Sequence, residues 1–362
     1  MRVQFNAVLK DVTRKGTKIQ TDEYLTEGKF PIIDQGNNDI AGYRDDETGL
    51  FTDVPAIVFG DHTRIVKYIT EPFFLGADGV KVLVPIDRTM NCKYLYYQLL
   101  SAKIPDTGYN RHFKWVKELE FQLPSRNEQD DVVKRLDKLC VVISARQQQL
   151  TKLDELVKAR FIEMFGKYEN GTTTVFMEDV SEMITVGIAN SATHAYAENG
   201  VIMFRNQNIK EGFLDDSDLI YITEEFASKY KTKQLKENDL LITRTGYPGI
   251  ACIVPKKYEG TQTFTTLIVR LKNSGRVMAC YACNYINSYY GKRYVESMKA
   301  GVAQQNFGAK ALDKMPIFIP PMDEQIAFEN FVERSYRTKL ILLKGLEQME
   351  TLKKALMQQY FG

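Results

Sequence analysis

The side chains able to do covalent or metal chemistry are few and poorly spaced for it. Cys280 and Cys283 form a Cys-x2-Cys, but no second pair lies near it, and the surrounding "ACYACNYINSYYGKRYVESM" is tyrosine-rich and reads as helix, a poor setting for zinc. His62, His112 and His194 are the only histidines; they lack metal spacing, and DNA contact or plain surface suits the first two better. Each Gly-Lys pair, at 28–29, 166–167 and 291–292, is followed by Phe, Tyr or Arg, so none closes a phosphate-cradling Gly-x4-Gly-Lys-Ser/Thr loop. Neither a Gly-x-Gly-x-x-Gly fingerprint nor His-Glu-x-x-His occurs. The one Pro-Pro pair follows Ile319, where an adenine methyltransferase would carry Asn or Asp. Binding is the expected business of this chain, with any catalysis left to partners.

Binding chemistry is better represented. His62, Arg64 and Lys67 cluster in the first half, as do Tyr109, Arg111, His112, Lys114 and Trp115. The second half has Arg244 and Tyr247, Lys256-Lys257, and the run Tyr289, Tyr290, Lys292, Arg293, Lys299. Basic residues interleaved with Tyr, Asn, Gln and Thr suit phosphate anchoring and base-edge hydrogen bonding. Net charge does not decide the matter. The whole chain carries +2 and no segment is strongly basic, so a protein relying on bulk attraction to nucleic acid is excluded. Charge alone leaves an ordinary solvated surface equally open.

The elements that would position these residues are announced by a repeat. "LPSRNEQ" at 123–129 returns as "IPPMDEQ" at 319–325, and the register continues without a gap. Gln129 and Gln325, Leu150 and Leu346, Lys158 and Lys354, and the pairs Phe165-Gly166 and Phe361-Gly362 all stand 196 residues apart. After each proline, apolar residues recur at steps of three and four: Val132, Leu136, Cys140, Ile143, Leu150, Leu153, Val157 and Phe161, then Phe328, Val332, Tyr336, Leu340, Leu343 and Leu346. This predicts two amphipathic helices of about 38 residues, roughly 55 Å each, with Asn127 and Asp323 as N-caps and glycine stops. Helices so long, each with one apolar stripe, most simply bury it against one another.

The helices divide the chain into 1–125, 126–166, 167–320 and 321–362. The two large parts are short-stranded and β-rich with helical pieces, an α+β pattern. They are diverged copies: "GKFPIIDQGN" at 28–37 lies over "GVIMFRNQNI" at 200–209, and "DVPAIVFGDHTRIVKYI" from Asp53 parallels "DLLITRTGYPGIACIVP" from Asp239. Each of the latter reads as strand, polar glycine-containing turn with an arginine, and strand. An odd cysteine count, the lack of a signal-peptide core after Met1-Arg2 and the lack of an ~18-residue apolar run predict a cytoplasmic protein with no membrane partner.

In this order the motifs resemble one family, the DNA-specificity subunit of type I restriction-modification systems. "FGDHTRIVKYITEPFFLGADGVKVL" (59–83) and "IPDTGYNRHFKWVKELEFQLPSRNEQ" (104–129) are similar to one subtype of its target-recognition domain; "FRNQNIKEG" (204–212), "NDLLITRTG" (238–246) and "GVAQQNFGAKALDKMPIFIPPMDEQ" (301–325) are similar to another. The resemblance implies two target-recognition domains joined by two long antiparallel coiled-coil helices about a pseudo-twofold axis. Each domain would read one short half of a split, asymmetric double-stranded DNA target in the major groove.

Candidate contacts fall on three loops per domain. In the first they are Gln35, Asn37 and Asn38, then His62, Thr63, Arg64 and Lys67, then Tyr109, Arg111, His112 and Lys114. In the second they are Arg205, Asn206, Gln207 and Asn208, then Thr243, Arg244, Thr245 and Tyr247, then Gln304, Gln305, Asn306 and Lys310. Arginine forks suit guanine or phosphate and amides suit adenine; for each amide or hydroxyl, a turn residue satisfying its own backbone is the alternative. The resemblance further implies that no cofactor or metal is bound by this chain. S-adenosylmethionine would belong to two methyltransferase subunits, and ATP and Mg to restriction/translocase subunits. A free-standing DNA-binding regulator and a non-DNA interaction scaffold are the competing functions.

Overall fold

The structure is a computed structural model describing residues 2–76, 79–169, 174–189, 192–273, 275–299 and 307–362. It divides into two compact units, residues 1–148 with 343–362, and residues 149–342.

The first unit is organised by a four-stranded antiparallel sheet in which Leu9–Asp11, Val80–Pro85, Ala56–Gly60 and Val66–Ile69 lie side by side in that order. Alternation along Ala56–Gly60 explains its two faces. Ile57 and Phe59 join Leu9 and Leu83 in a core completed by the helix Cys92–Ser101, whereas Ala56 and Val58 join Val82, Val84, Phe51 and Phe73 on the opposite side. A smaller sheet holds Gly42–Arg44, Phe30–Ile33 and Phe74–Leu75, the last two parallel.

The second unit repeats this order in different residues. Ser181–Val186, Leu267–Leu271, Leu240–Ile242 and Ala251–Ile253 form its four-stranded antiparallel sheet, and Val201–Phe204 pairs parallel with Gln262–Thr263. Leu240 and Ile242 face one core, Leu241 the other. Where one long helical segment is expected, the chain forms two, Ala279–Asn287 and Tyr289–Lys299. Ser288 divides them: its hydroxyl donates to Tyr285 O at 2.6 Å and accepts from the Tyr290 amide at 3.2 Å, ending one helix and opening the next.

Two helices of 40 residues, Arg126–Phe165 and Met322–Phe361, each contribute to both units. In the second unit Asp154 meets Lys339 at 2.7 Å while Phe161 and Phe165 meet Phe328, so these segments run antiparallel. In the first, Val132, Leu136 and Cys140 share a core with Leu356, Met357 and Phe361. The first helix is capped two residues earlier than Asn127. Ser125 Oγ accepts from the Glu128 amide at 3.4 Å and the Glu128 carboxylate accepts from Ser125 N at 2.9 Å, a reciprocal box that a serine three residues before a glutamate supplies. Asn127 and Asp323 lie inside their helices.

The repeated glutamine now has a physical role. Gln129 is 3% exposed and Gln325 1%, so each buried amide must find partners. Gln129 donates to Pro124 O (2.9 Å) and accepts from Asn91 N (2.9 Å), the residue that caps Cys92–Ser101. Gln325 donates to Pro320 O (3.0 Å) and Arg276 O (2.9 Å) and accepts from Met278 N (2.9 Å), at the cap of Ala279–Asn287. One side chain thus satisfies the proline carbonyl where the chain turns into the long helix and an orphan N–H at another helix start.

Candidate nucleic-acid interface

In the first unit three loops meet at the end of the four-stranded sheet. The turn after Ala56–Gly60 carries His62, Thr63 and Arg64. Thr63 Oγ1 donates to Gln35 O at 2.7 Å and the His62 amide donates to Gln35 Oε1 at 3.1 Å, which ties this turn to the loop of Gln35, Asn37 and Asn38. Glycine makes the approach possible: a Cβ on Gly79, at φ +95°, would stand 2.6 Å from Gln35 Nε2. The third loop arrives through His62, whose Nδ1 donates to Asn110 O at 3.2 Å and whose ring stacks on Tyr109 with centroids 4.6 Å apart and planes 9° from parallel. Tyr109 itself is 87% exposed.

Arg64 occupies φ +62°, a left-handed conformation that costs a non-glycine residue about 1–2 kcal/mol. Its Nη2 donates to Asp106 Oδ2 at 2.6 Å. The Gly108 amide, then Arg64, hold the Asp106 carboxyl below its ordinary range. Asn37, Asn38, Thr63, Arg111 and Lys114 are exposed, the last with its ammonium 4.0 Å from the Trp115 ring centroid.

The second unit assembles the corresponding loops by other bonds. Asn206 Nδ2 donates to Thr245 Oγ1 at 2.6 Å, joining the loop after Val201–Phe204 to the turn after Leu240–Ile242. Arg205 Nη2 and Gln207 Nε2 both donate to Asp218 Oδ2, at 2.9 and 2.6 Å. Arg244 O accepts from Phe307 N at 3.1 Å, bringing in the segment that leads to the short helix Ala309–Asp313. Lys310 in that helix is exposed, as Lys114 is in Phe113–Val116. Tyr247, beside Gly246 at φ +74°, is 85% exposed. Arg205 Nε, Asn206 Oδ1 and Arg244 Nε are buried beneath this face with no partner among the described residues. Gln304, Gln305 and Asn306 lie outside the described residues.

Four expected contact residues are instead internal. Lys67 is 7% exposed and spans Asn38 O (2.5 Å) and Asp34 (3.4 Å). His112 is buried, its Nδ1 donating to Asp61 O at 2.9 Å. Asn208 donates to Asp215 O and Asp218 O, and Thr243 Oγ1 donates to Tyr247 O while accepting from Ile250 N. All four shape the loops, because a buried polar group must spend its bonds locally. The sequence reading also missed Asp61, Asp106 and Asp218. Asp106 carried a turn signal in Asp-Thr-Gly and Asp218 one in the run Asp215-Asp216-Ser217-Asp218, but neither signal marked a contact with an arginine. No group of three or more metal-ligating side chains occurs among the described residues. Cys280 and Cys283 are buried, and desolvation pushes the Cys280 thiol up to about 12.

Two α+β units of one topology, each ending in a polar three-loop face, define a modular protein with paired recognition domains joined by long helices. The chain belongs to the family described as the type I restriction modification DNA specificity domain, which matches residues 6–155 and again 169–349. Its fold is similar to the S subunit of a type I restriction-modification system from M. genitalium, at 14% identity and a TM-score of 0.62 over 100% of this chain and 96% of that one. A second solved structure, described under complex assembly and conformational transition of the type I R-M system, is similar at 13% identity and a TM-score of 0.60, covering 100% and 97%. The chain's role is DNA recognition, and the family is a specificity component without catalysis of its own. No helix among the described residues is long and apolar enough to cross a membrane.

Proposed function

We propose that this chain is the sequence-reading subunit of a type I restriction-modification enzyme, and that its two units read the two halves of a split, asymmetric DNA target. The supporting observation is one topology presented twice with different loop chemistry: His62, Arg64 and Tyr109 in one unit, Arg205, Asn206, Arg244 and Tyr247 in the other. Identical readers would call for a symmetric site; these do not. Arg64 and Arg244 supply forks for guanine or phosphate, and Gln35, Asn37, Asn38, Asn206 and Gln207 supply amides for adenine. Lys114 and Lys310 suit phosphates. The long helices set the unread gap between half-sites.

The same helices would dock two methyltransferase subunits, which hold S-adenosylmethionine and flip the target adenine; restriction/translocase subunits would bring ATP and Mg. Exposed Val141 and Val142 on one helix and Leu340, Ile341 and Leu352 on the other are apolar surface available for docking. This chain itself binds no cofactor in this scheme and acts in the cytoplasm with its DNA.

A map of adenine methylation across the native host's genome, with and without this gene, tests the reading. Loss of methylation at one split motif is the expected result. Replacing residues 167–320 with another recognition domain should then change one half of that motif and preserve the other. A change in both halves would refute the assignment of one unit to each half.

A further inference from the structure

The two faces share a device that their sequences do not share. In the first unit Arg64 Nη2 donates to Asp106, and in the second Arg205 Nη2 and Gln207 Nε2 donate to Asp218. The exposures run the same way in both. The Asp106 and Asp218 side chains are 66% and 68% exposed, whereas those of Arg64 and Arg205 are 31% and 27%. In each pair the carboxylate keeps most of its side chain open to solvent and the arginine less than a third, so the carboxylate is accessible to a ligand reaching the loop.

For a DNA backbone that arrangement is unfavourable. A carboxylate has no proton to donate to a phosphate, and at contact distance, well inside the ~8 Å Debye length at physiological salt, the two repel to the extent that the paired arginine leaves the acid's charge uncompensated. A base edge is different. Cytosine N4 and adenine N6 present hydrogen-bond donors in the major groove, while guanine O6 and N7 present acceptors to an arginine fork. An ionised carboxylate accepts at about four lone-pair positions. Asp106 uses positions for Arg64 and for the Gly108 amide at 3.0 Å, and Asp218 uses them for Arg205 and Gln207. Each carboxylate therefore keeps capacity to accept from a further donor. Each pair can therefore rest on itself without DNA and open onto two different base atoms with it, the arginine to an acceptor and the aspartate to an amino group.

We propose that Asp106 and Asp218 are specificity-determining residues, each accepting from a cytosine N4 or adenine N6 amino group in the half-site its unit reads, and each raising discrimination by repelling DNA that lacks that group. This rests on the DNA-reading function proposed above. It assigns base-reading to acidic residues, where a search for basic and amide side chains finds none.

The test is the genomic methylation map of the native host carrying D106N or D218N at the chromosomal gene. Asparagine keeps the side-chain shape and one acceptor oxygen while removing the charge. D106N should methylate sites that differ from the wild-type motif at one position of one half, with discrimination there reduced about ten-fold. D218N should do the same at one position of the other half. D106E, which keeps the charge but moves it by one methylene, should relax the same position as D106N. An unchanged motif in both variants would overturn the proposal, as would relaxation of the same half by both. Complete loss of methylation in variants whose purified protein melts like the wild type would also overturn it, because the carboxylates would then serve binding as such. If the wild-type strain itself shows no split motif, the DNA-reading function fails instead.

Discussion

The two units place their strands in the same order and finish them with different ends. Leu9–Asp11, Val80–Pro85, Ala56–Gly60 and Val66–Ile69 correspond strand for strand to Ser181–Val186, Leu267–Leu271, Leu240–Ile242 and Ala251–Ile253. Yet the first turn is fixed by Gln35, His62 and Asp106, and the second by Asn206, Thr245 and Phe307. The sheets and long helices are repeated, and the bonds that fix the loops at the sheet ends are not. On the function proposed above, that contrast is what a scaffold used twice to read two different half-sites requires.

The sharpest way to probe the repeated part is at its phenylalanines. Phe165 is fully buried against Phe161, Tyr281 and Phe328, whereas its counterpart Phe361 is half-buried, with edge contacts to Tyr94 at 5.3 Å and to the adjacent Tyr360 at 6.3 Å. Phe165→Ala should cost about 3–5 kcal/mol, and Phe361→Ala about 1–2 kcal/mol because less area leaves water there. Hydrogen exchange separates the two locally. The first variant should deprotect Ala279–Asn287 and the second Cys92–Ser101. Equal losses of protection would show that the units are mechanically alike despite their unequal burial.

The glutamines give the next largest effect. Gln325 makes three hydrogen bonds and Gln129 makes two. Replacing either with alanine strands buried partners, at about 1–3 kcal/mol, and Gln325→Ala should sit at the upper end. Thermal unfolding of the two variants checks this; a larger loss for Gln129→Ala would mean that the bond to Arg276 O adds nothing net.

How much of this was legible in the sequence follows from the same division. The long helices were visible because their apolar stripe and proline starts obey a local rule, and the repeat made it visible twice. The glutamine's importance was legible as recurrence, but its clamp was not, since Asn91 and Met278 lie 38 and 47 residues away. At the binding face Tyr109, Tyr247 and Lys310 are exposed as residue type suggested. Lys67 and His112 are not, because a lysine or histidine within reach of a backbone carbonyl can be drawn inward, and no local pattern announces that carbonyl. Asp106 and Asp218 escaped notice for the opposite reason: acidic residues are not sought on a surface expected to meet phosphates.

The smallest effect concerns how a long helix is latched to its unit. In the second unit Glu211 accepts from Lys158 of the first long helix and from Lys292 of Tyr289–Lys299, both at 2.6 Å. Burial raises the Glu211 carboxyl, but the two lysines outweigh it and hold the group below its ordinary value of 4.5. Such a depressed carboxyl contributes stability that is fully present above the unfolded-state value and is lost as pH falls through the folded one. The side chain is 33% exposed, so solvent screening limits the contribution to about 1 kcal/mol or less. Glu211→Gln should therefore lower the melting temperature slightly near neutral pH, and the gap from wild type should close under acid conditions. In the first unit the helix is held instead by Asp137, which accepts from Lys93 at 2.8 Å and from Tyr97 Oη at 2.6 Å. Combining Glu211→Gln with Lys292→Met, which leaves the second unit no lysine bridge to Tyr289–Lys299 through Glu211, should produce little beyond the single effect. A double variant losing clearly more than Glu211→Gln alone would mean that Lys292 holds the helix by a route other than this carboxylate.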